Sequence, residues 1–289
     1  MTGKRVLTAL VLIPIVVAIV LFTSTAVVAF ATALVTVLAL WEYFALGEAI
    51  GHRAYRFWTI FCAVGFIFFQ LVRQPLEGIG MEFPAVSATV FPVNSNLISP
   101  LSAFFLFILG LTVLTLFTRR PLVETLPAAG ISSSALLLVA FPLSFAVRLH
   151  GLPAYGPRLL LFALAITWAA DTAAYFVGRA IGKHPLAPHI SPKKTWEGSI
   201  AGLIGSLAVA YAFSYWIKIP LPHLLAMATF GNIAGQMGDL LESAYKRSAG
   251  VKDSGGLLPG HGGILDRIDA LILCIPVIWY YLVLVNPSM

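Results

Sequence analysis

The chain has 289 residues, 59% of them hydrophobic and only 10% charged, with a formal net charge of +6 and a mean hydropathy of +0.93. Soluble globular chains carry about 25% charged residues, so 18 Lys+Arg and 12 Asp+Glu are too few to cover a soluble surface of this length. The same figures exclude a disordered chain, which would be charge-rich and aromatic-poor, and 24 glycines without a triplet period and 2 cysteines exclude collagen and a disulfide scaffold. An all-α, polytopic membrane protein remains.

A helix needs about 17–25 mostly apolar residues to cross the hydrocarbon core. Nine such runs follow in chain order: 6–22, 25–46, 57–72, 97–117, 128–147, 159–177, 200–219, 222–241 and 267–285. Lys4 and Arg5 precede the first run as they would in a signal peptide. That run is longer than a signal core and a second follows at once, so the first helix is expected to be retained. Nine spans divide the basic residues 14 to 4, with Lys4, Arg5, Arg53, Arg56, Arg119, Arg120, Arg179 and the later loop cations on one side. Arg73, Arg148, Arg158 and Lys218 fall on the other. The positive-inside bias then makes the N-terminus cytoplasmic and, in a bacterium, the membrane the inner one. The +6 charge is mostly this bias and calls for no nucleic-acid partner. Cys62 and Cys274 lie inside apolar runs and read as packing residues.

The chain changes character near residue 159. All five Asp follow it: Asp171, Asp239, Asp253, Asp266 and Asp269. Residues 1–158 therefore read as a transmembrane scaffold of about five helices. Residues 159–289 read as the working half, with cytoplasmic loops 178–199 and 242–266.

Asp171 lies inside the sixth run, where a carboxylate costs roughly 2.5–3.5 kcal/mol on insertion scales unless it is paired or faces water. Two readings stay open: an interhelical pair with a cation such as Arg179, or a polar cavity opening to the cytoplasm. Asp239 closes the eighth run, and Asp266 and Asp269 open the ninth at the same face. The i, i+3 spacing of the last two puts them on one side of a helix. Like charges there repel, and a divalent metal held by Asp239, Asp266 and Asp269 is the economical solution, since Mg2+ takes one or two carboxylates and leaves its other positions to water and phosphate. A solvated acidic helix start is the alternative.

Between these acids run Lys246, Arg247, Lys252 and Asp253, then five glycines between 255 and 263. Backbone N–H groups there can approach an anion without interference from Cβ. Glycines, cations and carboxylates together suit a polyphosphate. His261 reads as a donor that fixes the loop rather than as a base. The other loop carries Ser191-Pro192-Lys193-Lys194-Thr195-Trp196-Glu197-Gly198. It looks like a helix N-terminus capped by Thr195, or a pair of juxtamembrane cations attracted to anionic lipid. A capped helix start also offers free N–H groups to phosphate.

The stretch from Ser243 through Lys246-Arg247, Lys252-Asp253, Gly255, Pro259, His261-Gly262-Gly263 to Asp266-Arg267-Ile268-Asp269 resembles the signature of phosphatidate cytidylyltransferases, the CDP-diacylglycerol synthases. Asp171-Thr172-Ala173-Ala174-Tyr175 and Ser191–Gly198 resemble the family's other shared stretches, so that residues 168–269 carry the likeness. Tyr245 departs from it, standing where the family has an aliphatic residue or Phe, at a packing position. The resemblance implies an enzyme joining CTP to phosphatidate, giving CDP-diacylglycerol and pyrophosphate in phospholipid biosynthesis, with membrane lipid around it and a homodimer kept open. It implies catalytic roles for Asp171, Lys246, Arg247, Lys252, Asp253, Asp266 and Asp269. It implies contacts with CTP or lipid phosphate for Ser191, Lys193, Lys194, Thr195, Glu197, His261, Gly262, Gly263 and Arg267. Mg2+, with a second cation kept open, is expected at Asp239, Asp266 and Asp269. Two other classes fit less well: a CTP-dependent enzyme acting on an ether-lipid phosphate or a polyprenol, and a transporter, which would favour midplane acids and inverted repeats.

Overall fold

In the computed structural model, residues 2–77, 100–256 and 262–285 are described, the side chains of 2–9 and 73–77 excepted. The helices in chain order are α1 (Thr2–Phe22), α2 (Thr25–Ala49), α3 (Arg56–Glu77), α4 (Pro100–Leu116), α5 (Thr125–Ala135), α6 (Phe141–His150), α7 (Gly156–Ile181), α8 (Trp196–Phe213), α9 (Leu221–Ser248) and α10 (Leu265–Val285). A π-helical turn, Leu136–Ala140, joins α5 to α6, so the fifth apolar run is one helical passage, Leu122–His150. Pro142 sits at the start of α6, where its missing N–H is least costly. Among the described residues each of the nine apolar runs overlaps a helix. Among the described residues five helical stretches are long and apolar enough to cross a membrane: Thr25–Ala49, Leu122–His150, Gly156–Ile181, Trp196–Phe213 and Leu265–Val285.

Two boundaries differ from expectation. The seventh run, read as 200–219, is helical from Trp196 to Phe213 and gives way to a turn. The loop read as 242–266 is helical as far as Ser248, so Lys246 and Arg247 project from the last turn of α9. The loop at 178–199 is likewise structured: α7 continues through Arg179 to Ile181, and an antiparallel hairpin follows, β1 (Pro185–Ala187) and β2 (Ser191–Thr195).

The later helices pack closely, α8 against α7 and α9, and α10 against α9, α6 and α7. Gly238 matters to that packing. A Cβ there would run into the backbone carbonyl of Asp269, so the missing side chain lets α9 and α10 approach where Asp239 and Asp269 sit. The core beneath is apolar, with Phe44, Phe66, Phe145, Phe162, Leu159 and Ile166 almost wholly buried.

Candidate active site

Thr195 does cap α8: its hydroxyl accepts from the Gly198 N–H at 3.2 Å. Next to it, the Trp196 N–H donates to the His184 carbonyl at 2.9 Å, and the Glu197 carboxylate takes His184 Nδ1 at 2.6 Å and the His184 N–H at 3.3 Å. Glu197 therefore ties the start of the hairpin to the start of α8 and holds protein rather than presenting an open carboxylate. Arg247 anchors the same hairpin from α9, donating through Nε to the Ile190 carbonyl at 3.3 Å and through Nη1 to Val251 at 3.0 Å.

The hairpin carries Lys194 onto α9, where its ammonium pairs with Asp239 at 2.5 Å. Around this pair lie the other acids. Asp171 on α7 is exposed and within electrostatic reach of Asp239, Lys194 and Arg267. Asp269 on α10 is in reach of Asp239, Glu242 and Asp171, and one of its oxygens accepts from the Ala270 N–H at 2.7 Å. Arg179 bonds the Tyr175 hydroxyl at 2.9 Å, which makes it a neighbour of Tyr175 rather than the ion-pair partner considered for Asp171. Four elements thus bring three carboxylates and the Lys194 cation within electrostatic reach of one another.

Asp266 stands apart from this cluster. Its carboxylate accepts Lys246 Nζ at 2.5 Å, the Ser254 N–H at 3.0 Å, the Ser254 hydroxyl at 3.1 Å and the Gly263 N–H at 2.8 Å. Lys246 also pairs with Glu242 one turn back on α9. Burial alone would pull the Lys246 ammonium down, but the bonds to Asp266 and Glu242 outweigh it and hold the group above its usual value. The expectation that Asp239, Asp266 and Asp269 share one ion is thus not how the side chains lie, and among the described residues no three His, Cys, Asp or Glu groups converge on a metal position. Asp171, Asp239 and Asp269 nonetheless bring hard oxygen donors within electrostatic reach of one another. This donor set fits a divalent cation that takes one or two carboxylates and fills its shell with water and phosphate, not one caged by protein alone.

A residue outside the expected set completes the loop. Glu42 of α2 is only 4% exposed, and it accepts the Ser254 hydroxyl at 2.9 Å, the Ile264 N–H at 3.0 Å and the Leu265 N–H at 2.9 Å. Cβ atoms on Gly255 or Gly263 would collide with its carboxylate. Gly262 has φ +78°, a backbone that side chains resist. These glycines admit Glu42 and turn the chain into α10. Glu42 and Glu242 were both missed from sequence. The signal for Glu42 was present, because it sits in an apolar run where a carboxylate is as costly as Asp171. Lys252 and Asp253 are exposed on the loop, Lys193 is exposed on β2 beside the half-buried Ser191, and Arg267 is exposed at the start of α10. His261 lies outside the described residues. Tyr245 packs edge-on against Tyr43, ring centroids 5.7 Å apart, in keeping with a packing position.

Residues 3–285 match the model of the cytidylyltransferase family. The chain belongs to that family. Curated members similar to it are phosphatidate cytidylyltransferases from Bacillus subtilis (39% identical over 177 residues, 60% of this chain and 66% of that one) and Haemophilus influenzae (46% over 137 residues, 45% and 47%). Another is from Staphylococcus saprophyticus (48% over 125 residues, 43% and 48%). The matched stretches span between about half and just under two thirds of these cytidylyltransferases, the shares being 47–66%. The family is that of the resemblance carried by residues 168–269.

Proposed function

We propose that the protein is a phosphatidate cytidylyltransferase, transferring CMP from CTP to phosphatidate. The observation that carries this reading is the Lys194–Asp239 pair at 2.5 Å, set beside Asp171 and Asp269 at one end of the later helices, in a chain of the cytidylyltransferase family. The names of its relatives supply the substrate, and the cluster supplies a place for a triphosphate.

The chemistry asks for charge and alignment. The second ionisation of a phosphomonoester falls near pH 6, so phosphatidate arrives as a nucleophile at neutral pH. One of its oxygens attacks the α-phosphorus of CTP. The bond from that phosphorus to the bridging oxygen breaks, and the electron pair leaves with pyrophosphate. No proton has to move, so no general base is required of the protein. Lys194 and Arg267, with Lys193, Arg247 and Lys252 on the hairpin and loop, would neutralise and orient the two phosphate-bearing substrates. Mg2+ bound at Asp239 and Asp269, with Asp171 beside them, would supply further neutralisation of the nucleotide phosphates. Asp266 and Lys246 act from behind, by holding the glycine loop.

The same reading gives the placement. Nine spans with the N-terminus in the cytoplasm put every one of these residues on the cytoplasmic face, where a soluble nucleotide meets a lipid phosphate at headgroup depth, in an inner membrane for a bacterial chain. Residues 1–158 then hold the lipid-facing wall and lend Glu42, and 159–289 carry the chemistry. The test is to incubate purified protein with CTP, Mg2+ and a panel of lipid acceptors, following pyrophosphate and the nucleotidyl lipid by mass spectrometry. Pyrophosphate release that depends on phosphatidate is the expected result. Release only with a polyprenol or an ether-lipid phosphate would transfer the assignment to the related enzyme class, and no release would remove it.

A further inference from the structure

The corner between α2 and α3 meets the corner between α4 and α5 at an open cavity of about 660 Å³. Its polar side is formed by Arg53, Arg56, Arg120, Glu48 and Tyr55, three guanidinium groups against one carboxylate. Arg120 is fixed by the backbone, donating to the Arg53 carbonyl at 2.5 Å and lying 4.9 Å from the Tyr55 ring centre. Arg56 pairs with Glu48 and lies over the Trp41 ring at 5.4 Å. Arg53 reaches only 3.8 Å from the same carboxylate and its side chain is 80% exposed. Tyr55 is 8% exposed, and among the described residues its buried hydroxyl has no hydrogen-bond partner.

The other wall of the cavity is apolar. Phe57 and Phe61, one turn apart on α3, are 83% and 70% exposed, and Leu114 of α4 is 37% exposed beside them. A nucleotide or free phosphate would use the arginines and leave these rings in water. A molecule with an anionic head and a hydrocarbon tail uses both walls. The cavity also sits at the right depth. Glu48 lies six residues beyond Glu42 on α2, about 9 Å of helix rise, so the arginines stand at the same end of the bundle as the glycine loop, just past the apolar body of the helix.

We propose that this cavity binds an anionic phospholipid. The phosphate is taken by Arg53 and Arg56, and an acyl chain lies along Phe57 and Phe61. Arginine forks suit phosphate oxygens, and anionic lipids are the natural anions of a cytoplasmic leaflet. The site is separate from the carboxylate cluster and does not depend on the transfer reaction.

Trp58 on the cavity wall provides the probe. Full-length protein is reconstituted in phosphatidylcholine vesicles containing a small fraction of dibrominated phosphatidylglycerol or dibrominated phosphatidylcholine, and the signal lost in Trp58→Phe isolates this ring from the other tryptophans. The brominated anionic lipid should quench Trp58 several-fold more than the zwitterionic one. The double variant Arg53→Gln/Arg56→Gln should abolish that preference, Glu48→Gln should increase it, and Arg119→Gln, at an exposed neighbour outside the cavity wall, should leave it unchanged. Should the double variant fail to fold, the contrast between a raised preference in Glu48→Gln and an unchanged one in Arg119→Gln decides, and an unchanged preference in both overturns the proposal. Equal quenching by the two lipids, as a second copy seated on this face would give, overturns the proposal. So does a preference that survives the double variant, one lost equally in Arg119→Gln (diffuse attraction only), or one removed by millimolar inorganic phosphate (a free-anion site).

Discussion

Replacing Glu42 by Gln tests whether the glycine loop is held from the first half of the chain. One Glu42 oxygen accepts the Ser254 hydroxyl and the Leu265 N–H, and the other accepts the Ile264 N–H. Gln keeps one acceptor and turns a donor toward at least one of these groups. A charge-assisted hydrogen bond of this kind contributes about 1.5–3 kcal/mol, and the N–H left unpaired in a buried place adds to the loss. Taking about 3 kcal/mol for the whole change, the closed loop loses about a hundredfold in population relative to open forms. The loss falls on the loop, because the apolar core around α2 is untouched. Hydrogen exchange reads this directly: the Ile264 and Leu265 amides should exchange about 10²-fold faster in Glu42→Gln, while amides from Val28 to Leu40 keep the wild-type rate. Cytidylyl transfer should fall with the ordered fraction of the loop, and the melting temperature should move little. Unchanged exchange at Ile264 and Leu265 would refute the clamp, and equal acceleration along α2 would show that Glu42 supports the helix instead.

Three further outcomes follow from the geometry. Asp239→Asn and Asp269→Asn should each lower Mg2+-dependent transfer by about 10²–10³-fold, the scale of a lost preorganised charge, with the melting temperature retained; Asp266→Asn should lower both, because its single acceptor oxygen serves either Lys246 or the Ser254 and Gly263 N–H groups but not both and the charge facing Lys246 is lost, and a thermally silent Asp266→Asn would contradict its structural role. Thr195→Ala removes the α8 cap and should cost about 1 kcal/mol of stability, most of it restored by Thr195→Ser, with thermal unfolding as the measurement. In a background with Cys62 and Cys274 replaced by Ala, cysteines at the exposed positions of Lys183 and Lys252 should react with membrane-impermeant maleimide only in opened or inverted vesicles, while one at Lys218 should react from outside; labelling of the Lys252 position in sealed cells would overturn the proposed topology.

The helices were legible in the sequence because burial in lipid and burial in protein both select apolar residues, and hydropathy reads their sum. It does not read where a helix stops when polar residues continue it, and this is why α9 runs on through Lys246 and Arg247. The hairpin at 185–195 was illegible for another reason. Its strands are only three and five residues long, Pro-Leu-Ala and the polar Ser-Pro-Lys-Lys-Thr, too short for the apolar alternation that marks a half-buried strand. The Thr195 cap, by contrast, rests on a local chemistry of a few residues and was read correctly. The i, i+3 argument for Asp266 and Asp269 failed on angle. Three residues leave about 60° between side chains at 3.6 residues per turn, enough for one carboxylate to face Lys246 and the loop while the other faces Asp239. Glu42 lies more than two hundred residues from its partners, a separation that no local pattern can bridge.

This division of the acids also fixes which cations remain for a polyphosphate. Lys246 is buried between Glu242 and Asp266, and that trio already carries an excess of negative charge. An incoming phosphate would have to compete with two carboxylates at hydrogen-bond distance, so Lys246 serves the loop. Arg247 is committed through two backbone carbonyls to the hairpin and to Val251, though it stays exposed. Lys194 differs from both. It is held by a single carboxylate, Asp239, in a cluster with Asp171 and Asp269 that gains from any added positive charge. On the proposed reading, Asp239 and Asp269 would hold a divalent cation that offsets the charge of the acids, and Lys194 would then be available to a phosphate. The hairpin that carries Lys194 is tied to α8 through Glu197 and His184, and to α9 through Arg247. On the proposed reading Glu197 and Arg247 would act as positioning residues for Lys194, while Lys193 and Lys252 are exposed on the hairpin and the loop.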